Sequence, residues 1–144
     1  MKVVTIGLAL AKHIFQVHGA DAEGRPLLRK RLRRSHVACF FANVPPCVVG
    51  MEACCGAHYW SRVIGQFGHT VRLIAPQFVK SYVKSNKNDA NDAKAICEAV
   101  SRPQMRFVPA KSVEQQDIQS LHRLRDRLVS SRTQLASLLT HLEF

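Results

Sequence analysis

The sequence predicts an α/β protein: a five-stranded mixed sheet with flanking helices, followed by a long C-terminal helix. Three observations carry that expectation. Three β-rich segments follow one another at the N-terminus with no helix between them. Short apolar strands then alternate with amphipathic helices, and leucines recur at heptad spacing near the C-terminus. The 144 residues are long enough to bury one real core, expected over residues 1–110, with a helical arm over 111–144.

Val3-Val4-Thr5-Ile6-Gly7-Leu8-Ala9-Leu10 is almost uninterrupted in apolarity, as a central buried strand is. Ile14-Phe15-Gln16-Val17-His18 alternates in part and reads as a second strand. After the turn chemistry of Asp21-Ala22-Glu23-Gly24, Leu27 to Leu32 reads as a third strand with a basic exposed side. Three successive strands make an antiparallel meander. Ser35 is placed to cap a short helix through Val37, Phe40 and Phe41, which Pro45-Pro46 ends. Cys47-Val48-Val49-Gly50-Met51 is a short buried strand with Glu52 at its C-terminal end, where open α/β sheets place functional groups; a solvated loop acid is the plainer reading. Gly56 leads into a helix bearing Tyr59, Trp60, Val63, Ile64 and Phe67 that stops at Gly68. Val71 to Ala75 is the fifth strand, and Pro76 starts the next segment. Between Gln77 and Lys87 aromatics mix with lysines; Phe78, Val79 and Val83 suit either base stacking or the core.

Asn88 is a good N-cap for a helix from Asp89 to Val100 that is rich in alanine. Asp89 and Asp92, at i and i+3, project from one face of its first turn. The helix dipole welcomes acids there, so two capping acids are the ordinary reading. In a chain with few acids, however, a close pair that repels unless a cation lies between is also a candidate half-site for Mg²⁺. Beyond a brief extended piece at Arg106 to Pro109, Ser112 and Gln115 form a capping box for the last helix. Leu121, Leu124, Leu128, Leu135, Leu138 and Leu142 make an a/d seam in which Ser131 takes one d slot. The helix either packs on its own domain or pairs with another chain; its polar, basic outer faces favour pairing.

The formal net charge is +11, from 21 Lys and Arg against 10 Asp and Glu. That excess implies a polyanionic partner, most simply nucleic acid, with acidic membrane or protein surfaces as alternatives. Lys12, Arg29, Lys30, Arg31, Arg33, Arg34, Lys80, Lys84 and Lys87 are the candidate nucleic-acid contacts. Five cysteines with no C-x-x-C pair are expected to be reduced thiols in a cytosol, with Cys54-Cys55 as small buried hydrophobes. No apolar run approaches the roughly 20 residues that span a bilayer, and the N-terminus reads as a strand, not a secretion signal.

The order βββαβαβα with a central first strand resembles the ribonuclease H-like fold. More closely, Thr5-Ile6-Gly7-Leu8-Ala9-Leu10-Ala11-Lys12, Gly50-Met51-Glu52-Ala53-Cys54 and Lys87-Asn88-Asp89-Ala90-Asn91-Asp92-Ala93 resemble three motifs of one family. This is the family of DEDD insertion-sequence transposases related to the Piv pilin-gene invertase, whose N-terminal domain is RuvC-like. The resemblance implies that Glu52, Asp89 and Asp92 are catalytic and hold Mg²⁺ (or Mn²⁺) for DNA strand cleavage and transfer. It also implies a bacterial, cytoplasmic protein of a mobile element, with DNA and an element-encoded guide RNA as partners and an oligomeric synapse.

Two departures follow. The resemblance places the leading aspartate at position 9, where this chain has Ala9, whose methyl group cannot ligate a metal. Asp21 and Glu23 lie too far past the strand to replace it. The resemblance also implies a second domain with a catalytic serine, which no serine here matches. The chain is therefore expected to be a disabled fragment or a decayed copy that binds its ion weakly. A non-catalytic nucleic-acid-binding and oligomerisation module, and a structure-selective nuclease of RuvC type, are the alternatives.

Overall fold

The three N-terminal strands form the antiparallel meander the sequence predicts. β1 (Thr5–Ala9) pairs with β2 (Ile14–Ala20) from Thr5 opposite Ala20 to Ala9 opposite Gln16, and β2 pairs with β3 (Pro26–Arg33). The computed structural model describes residues 2–83 and 88–142. These fall into two compact units, Met1–Ala110 and Lys111–Phe144.

In the first unit a 3-10 turn (Arg34–His36) enters α1 (Val37–Asn43). The expected Ser35 cap is not made: His36 precedes the helix and no side chain caps it. The 3-10 turn supplies the entry instead. Val44 leaves α1 in the extended conformation that the following proline imposes. β4 (Val48–Glu52) then lies parallel beside β1, α2 (Ala57–Gly65) follows, and β5 (Thr70–Ile74) lies parallel beside β4. α3 (Pro76–Lys80) begins on Pro76, and α4 (Asp89–Val100) is capped by Asn88, whose Oδ1 accepts the Asn91 N–H at 2.8 Å. The extended piece after α4 is a sixth strand, β6 (Phe107–Val108), antiparallel to β5. The sheet order is β3-β2-β1-β4-β5-β6. It therefore has six strands, not five; an edge strand of two residues carries no alternation that marks it in sequence.

Alternation along the strands gives each face of the sheet its own core. Ile6, Leu8, Phe15, Val17, Val49, Met51 and Leu73 pack with Val37 and Phe41 of α1 and with Trp60 and Ile64 of α2. Buried His69 ties this side together: its Nδ1 accepts the Cys47 N–H at 3.2 Å, so Nε2 donates to the Phe41 carbonyl at 2.8 Å. On the other face Ala9 and Ile74 pack against Ala93, Ile96 and Val100 of α4 and Val79 of α3.

That second face depends on two glycines that are direct neighbours across β1 and β4, Gly7 and Gly50. A Cβ on Gly7 would collide with the Ala93 carbonyl oxygen and lie 2.5 Å from the Cys97 nitrogen; on Gly50 it would lie 2.9 Å from Val100 Cβ. The pair makes a trough that seats the α4 backbone.

Cys47 and Cys97 are buried, and burial pushes both thiols up to about 11. Cys54 and Cys55, expected to be buried, are exposed. They stand in the turn between β4 and α2, beyond the apolar run, where the chain has left the core.

In the second unit α5 (Val113–Leu142) is 30 residues long, about 45 Å at 1.5 Å per residue. Its capping box forms as the sequence predicts: Ser112 Oγ accepts the Gln115 N–H at 3.2 Å, and Gln115 Oε1 accepts the Ser112 N–H at 3.0 Å.

Gly7→Ala is expected to destabilise the domain by about 1–3 kcal/mol through overpacking, and by more than Gly50→Ala. Gly7 would clash with α4 backbone at 2.5 Å or less, whereas the worst contact of a Cβ on Gly50 is with the Val100 Cβ at 2.9 Å. Urea denaturation checks this; an unchanged midpoint for Gly7→Ala contradicts the close seating of α4.

Candidate active site and nucleic-acid interface

β1, β4 and β5 run parallel, so their carboxyl ends open on one edge of the sheet. Glu52 is the last residue of β4 and is half-buried. Gly50 faces α4, so by alternation Met51 faces the opposite core and Glu52 returns to the α4 side. Leu8 pairs with Met51, which puts Ala9 beside Glu52 on that same side. Asp89 and Asp92 stand in the first turn of α4, one exposed and one half-buried. None of the three acids makes a side-chain hydrogen bond or ion pair with the described residues. Asn88 does the capping, so the acids are not needed to satisfy the helix end.

Position 9 is apolar in every respect. Ala9 is 7% exposed and belongs to the cluster of Ile74, Val79 and Ala93. Among the described residues no three His, Cys, Asp or Glu side chains come together as a metal-holding group. Glu52, Asp89 and Asp92 thus share a face of the sheet without forming one ligand set. Asp21 does not repair this. It follows Ala20, which pairs with Thr5 at the opposite end of β1, and its carboxylate is used locally. It accepts from the Glu23 and Arg25 N–H groups and from Arg25 Nε at 2.8 Å. Burial opposes the charged form, but these bonds prevail and hold its pKa below the usual value.

The basic run of β3 does not form one patch. Arg29 and Arg31 pair with His18 and Gln16 on the α4 side, while Lys30 lies over the Phe40 ring, 5.4 Å from its centroid, on the other. Arg34 lies 5.6 Å from the Trp60 ring centroid and 5.9 Å from that of Phe15. Arg33 and Arg34 border an open cleft of about 660 Å³ with His13, Ser35, Tyr59 and Trp60. The sequence places Tyr59 and Trp60 on a helix. Trp60 does stack edge-on against Phe15, but Tyr59 is half exposed and carries the cleft outward. The Arg34 guanidinium beside Trp60 in the same cleft is a meeting that only the fold brings about. Lys12 is exposed in the turn after β1 and Lys80 at the end of α3; Lys84 and Lys87 lie outside the described residues.

The family model DEDD_Tnp_IS110, described as "Transposase", matches residues 6–143. The chain belongs to this transposase family. It is 59% identical over 137 residues to a probable family 20 transposase of Pseudomonas aeruginosa, covering 95% of this chain and 40% of that protein. It is 52% identical over 130 residues to the transposase for insertion sequence element IS1328 of Yersinia enterocolitica, covering 90% and 39%. Against the transposase for IS1111A of Coxiella burnetii it is 50% identical over 130 residues, covering 90% and 36%. The chain spans about two fifths of the length of the first of these relatives. Among solved structures it is similar to T. thermophilus RuvC in complex with a Holliday junction substrate. That match has a TM-score of 0.53 at 11% identity, covering 74% of this chain and 99% of the other. The fold is ribonuclease H-like, of the RuvC kind. No helix among the described residues is long and apolar enough to cross a membrane.

A divalent metal is the cofactor this transposase family implies. Three free carboxylates are hard oxygen donors of the right kind for Mg²⁺ or Mn²⁺. A two-ion site nevertheless does not fit the residues present, because the position between Glu52 and α4 is a methyl group packed on Ala93. Ala9→Asp is expected to lower stability in the absence of metal, since it buries a charge. Mn²⁺ should then bind at least about tenfold more tightly than to the parent chain and restore the melting temperature by mass action. Calorimetry and thermal melts with and without Mn²⁺ check both; equal Mn²⁺ affinity in the two proteins removes position 9 from the metal site.

Proposed function

We propose that this chain is the N-terminal RuvC-like domain of a bacterial insertion-sequence transposase, a domain that holds nucleic acid while its own strand chemistry is impaired. The observation that carries this reading is the contrast at one edge of the sheet. Glu52, Asp89 and Asp92, which the resemblance makes the motif acids, have no side-chain partner among the described residues, and Ala9 is buried. The partner is DNA, together with an element-encoded guide RNA, and the setting is the bacterial cytoplasm. Glu52, Asp89 and Asp92 are the carboxylates that would hold Mg²⁺ or Mn²⁺, weakly here because they do not come together as one ligand set. Lys12, Arg29, Arg31, Arg33, Arg34 and Lys80 contact phosphate, with Lys30 less directly because its ammonium rests on Phe40. The RuvC neighbour holds a Holliday junction, which supports a branched or rearranging DNA substrate here.

A second reading, a binding and oligomerisation module without catalysis, draws on Ala9 and on α5. Leu121, Leu128 and Leu135 of α5 are each more than 60% exposed, and no described residue of that helix is buried. A seam of this kind is covered when two such helices pair.

Fluorescence anisotropy on duplex and branched DNA separates these readings from their failure. With about five phosphates neutralised, log K should fall against log salt with a slope near −4.5 on duplex. Binding that does not respond to salt would remove nucleic acid as the partner. Cleavage in Mg²⁺ or Mn²⁺ at the rate of an Ala9→Asp variant would contradict the impairment.

Leu128→Asp with Leu135→Asp should shift the chain from dimer or higher oligomer to monomer in sedimentation equilibrium. A parent chain that is already monomeric at high concentration rules out pairing through α5.

A further inference from the structure

The meander and α4 together enclose a second polar site that the carboxylate edge does not use. Gln16 and His18 of β2 and Arg29 and Arg31 of β3 face the α4 side in register, and Asn91 and Lys94 of α4 close over them. They border a cavity of about 260 Å³. His18 is 6% exposed and has no hydrogen-bond partner among the described residues, yet its ring reaches the cavity wall. Arg29, Arg31 and Lys94 form no ion pair among the described residues either. A concave site with three cations in no ion pair, and an imidazole whose nitrogens stay open to solvent, suits one thing, an anion with several acceptor oxygens.

We propose that this cavity is a binding site for a phosphoryl group, gripped by Arg29, Arg31 and Lys94, with His18 and Gln16 completing its hydrogen bonds. The chemistry matches at each point. Guanidinium groups donate in a fork suited to phosphate oxygens, and an ammonium adds a point charge. Burial, and after it the positive charges of Arg29 and Lys94, keep the His18 imidazole below its ordinary pKa, so the neutral ring has one N–H to give. Gln16 sits opposite Ala9 in the sheet, so the site lies one strand away from the carboxylate edge and is separate from it. The phosphoryl group is either a phosphodiester of a nucleic acid, which rests on the phosphate contacts proposed above for Arg29 and Arg31, or free phosphate, which does not.

The test follows the His18 ring resonances of the full chain, with ¹³C-labelled histidine, during titration with inorganic phosphate at constant ionic strength. A saturable shift is expected. Lys94→Gln and Arg31→Gln should each weaken it by about tenfold or more, because a charge-assisted hydrogen bond is lost. Lys94→Arg should retain binding. Arg123→Gln, which removes the same charge from α5, should change it by less than about twofold, since distant exposed charges are screened. A short poly-dT strand or a duplex that produces the same shift and competes with phosphate identifies the source as nucleic acid. Phosphate binding without such competition identifies free phosphate. No saturable shift of His18, or equal weakening by Arg123→Gln and Lys94→Gln, overturns the site.

Discussion

The seating of α4 on Gly7 and Gly50 is the contact on which the rest of the domain depends. Two glycines side by side on parallel strands remove two side chains from the middle of the sheet, and a helix backbone occupies the space. Ala93, the small residue of α4 over Gly7, completes the fit. Interiors packed to this density pass a shift at one point to everything that touches it. The position of α4 then fixes three things at once: where Asp89 and Asp92 stand, what covers Ala9, and which way Lys94 points.

α4 therefore divides the face it lies on. Toward β4 and β5 are Glu52 and the free acids of its first turn, and toward β2 and β3 are Arg29, Arg31 and Lys94. The positive N-terminal end of the helix dipole favours acids such as Asp89 and Asp92 in the first turn of α4. The same chain thus carries an acidic edge and a basic cavity within one layer of helix, each left unneutralised by its own residues. Uncompensated charge of both signs is unusual in a domain selected for stability alone.

Much of this was legible beforehand. The meander, the central first strand, the Asn88 cap, the Ser112–Gln115 box and the limits of α4 all rest on local rules; the cap, the box and α4 appear at the predicted residues, and the three strands with ends shifted by one or two. Where the reading erred, non-local packing had decided. Ser35 lost its cap to a 3-10 turn, β6 formed only because β5 offered it an edge, and Cys54-Cys55 fell outside the core because the chain had already turned. The run from Arg29 to Arg34 looked like one patch because sequence distance ignores the pleat; successive strand residues go to opposite faces.

By itself, then, the sequence determined the family, most of the order of elements and the identity of the candidate carboxylates, with Ala9 where the resemblance expects an aspartate. Those are properties of residue type and spacing, which survive without coordinates. Only the tertiary structure decided that Ala9 is buried against Ala93, that the basic strand is split between two faces, and that His18 meets Arg29, Arg31 and Lys94 around a cavity. These depend on strand register and on how closely one helix approaches the sheet, and both are set by contacts between residues far apart in the chain.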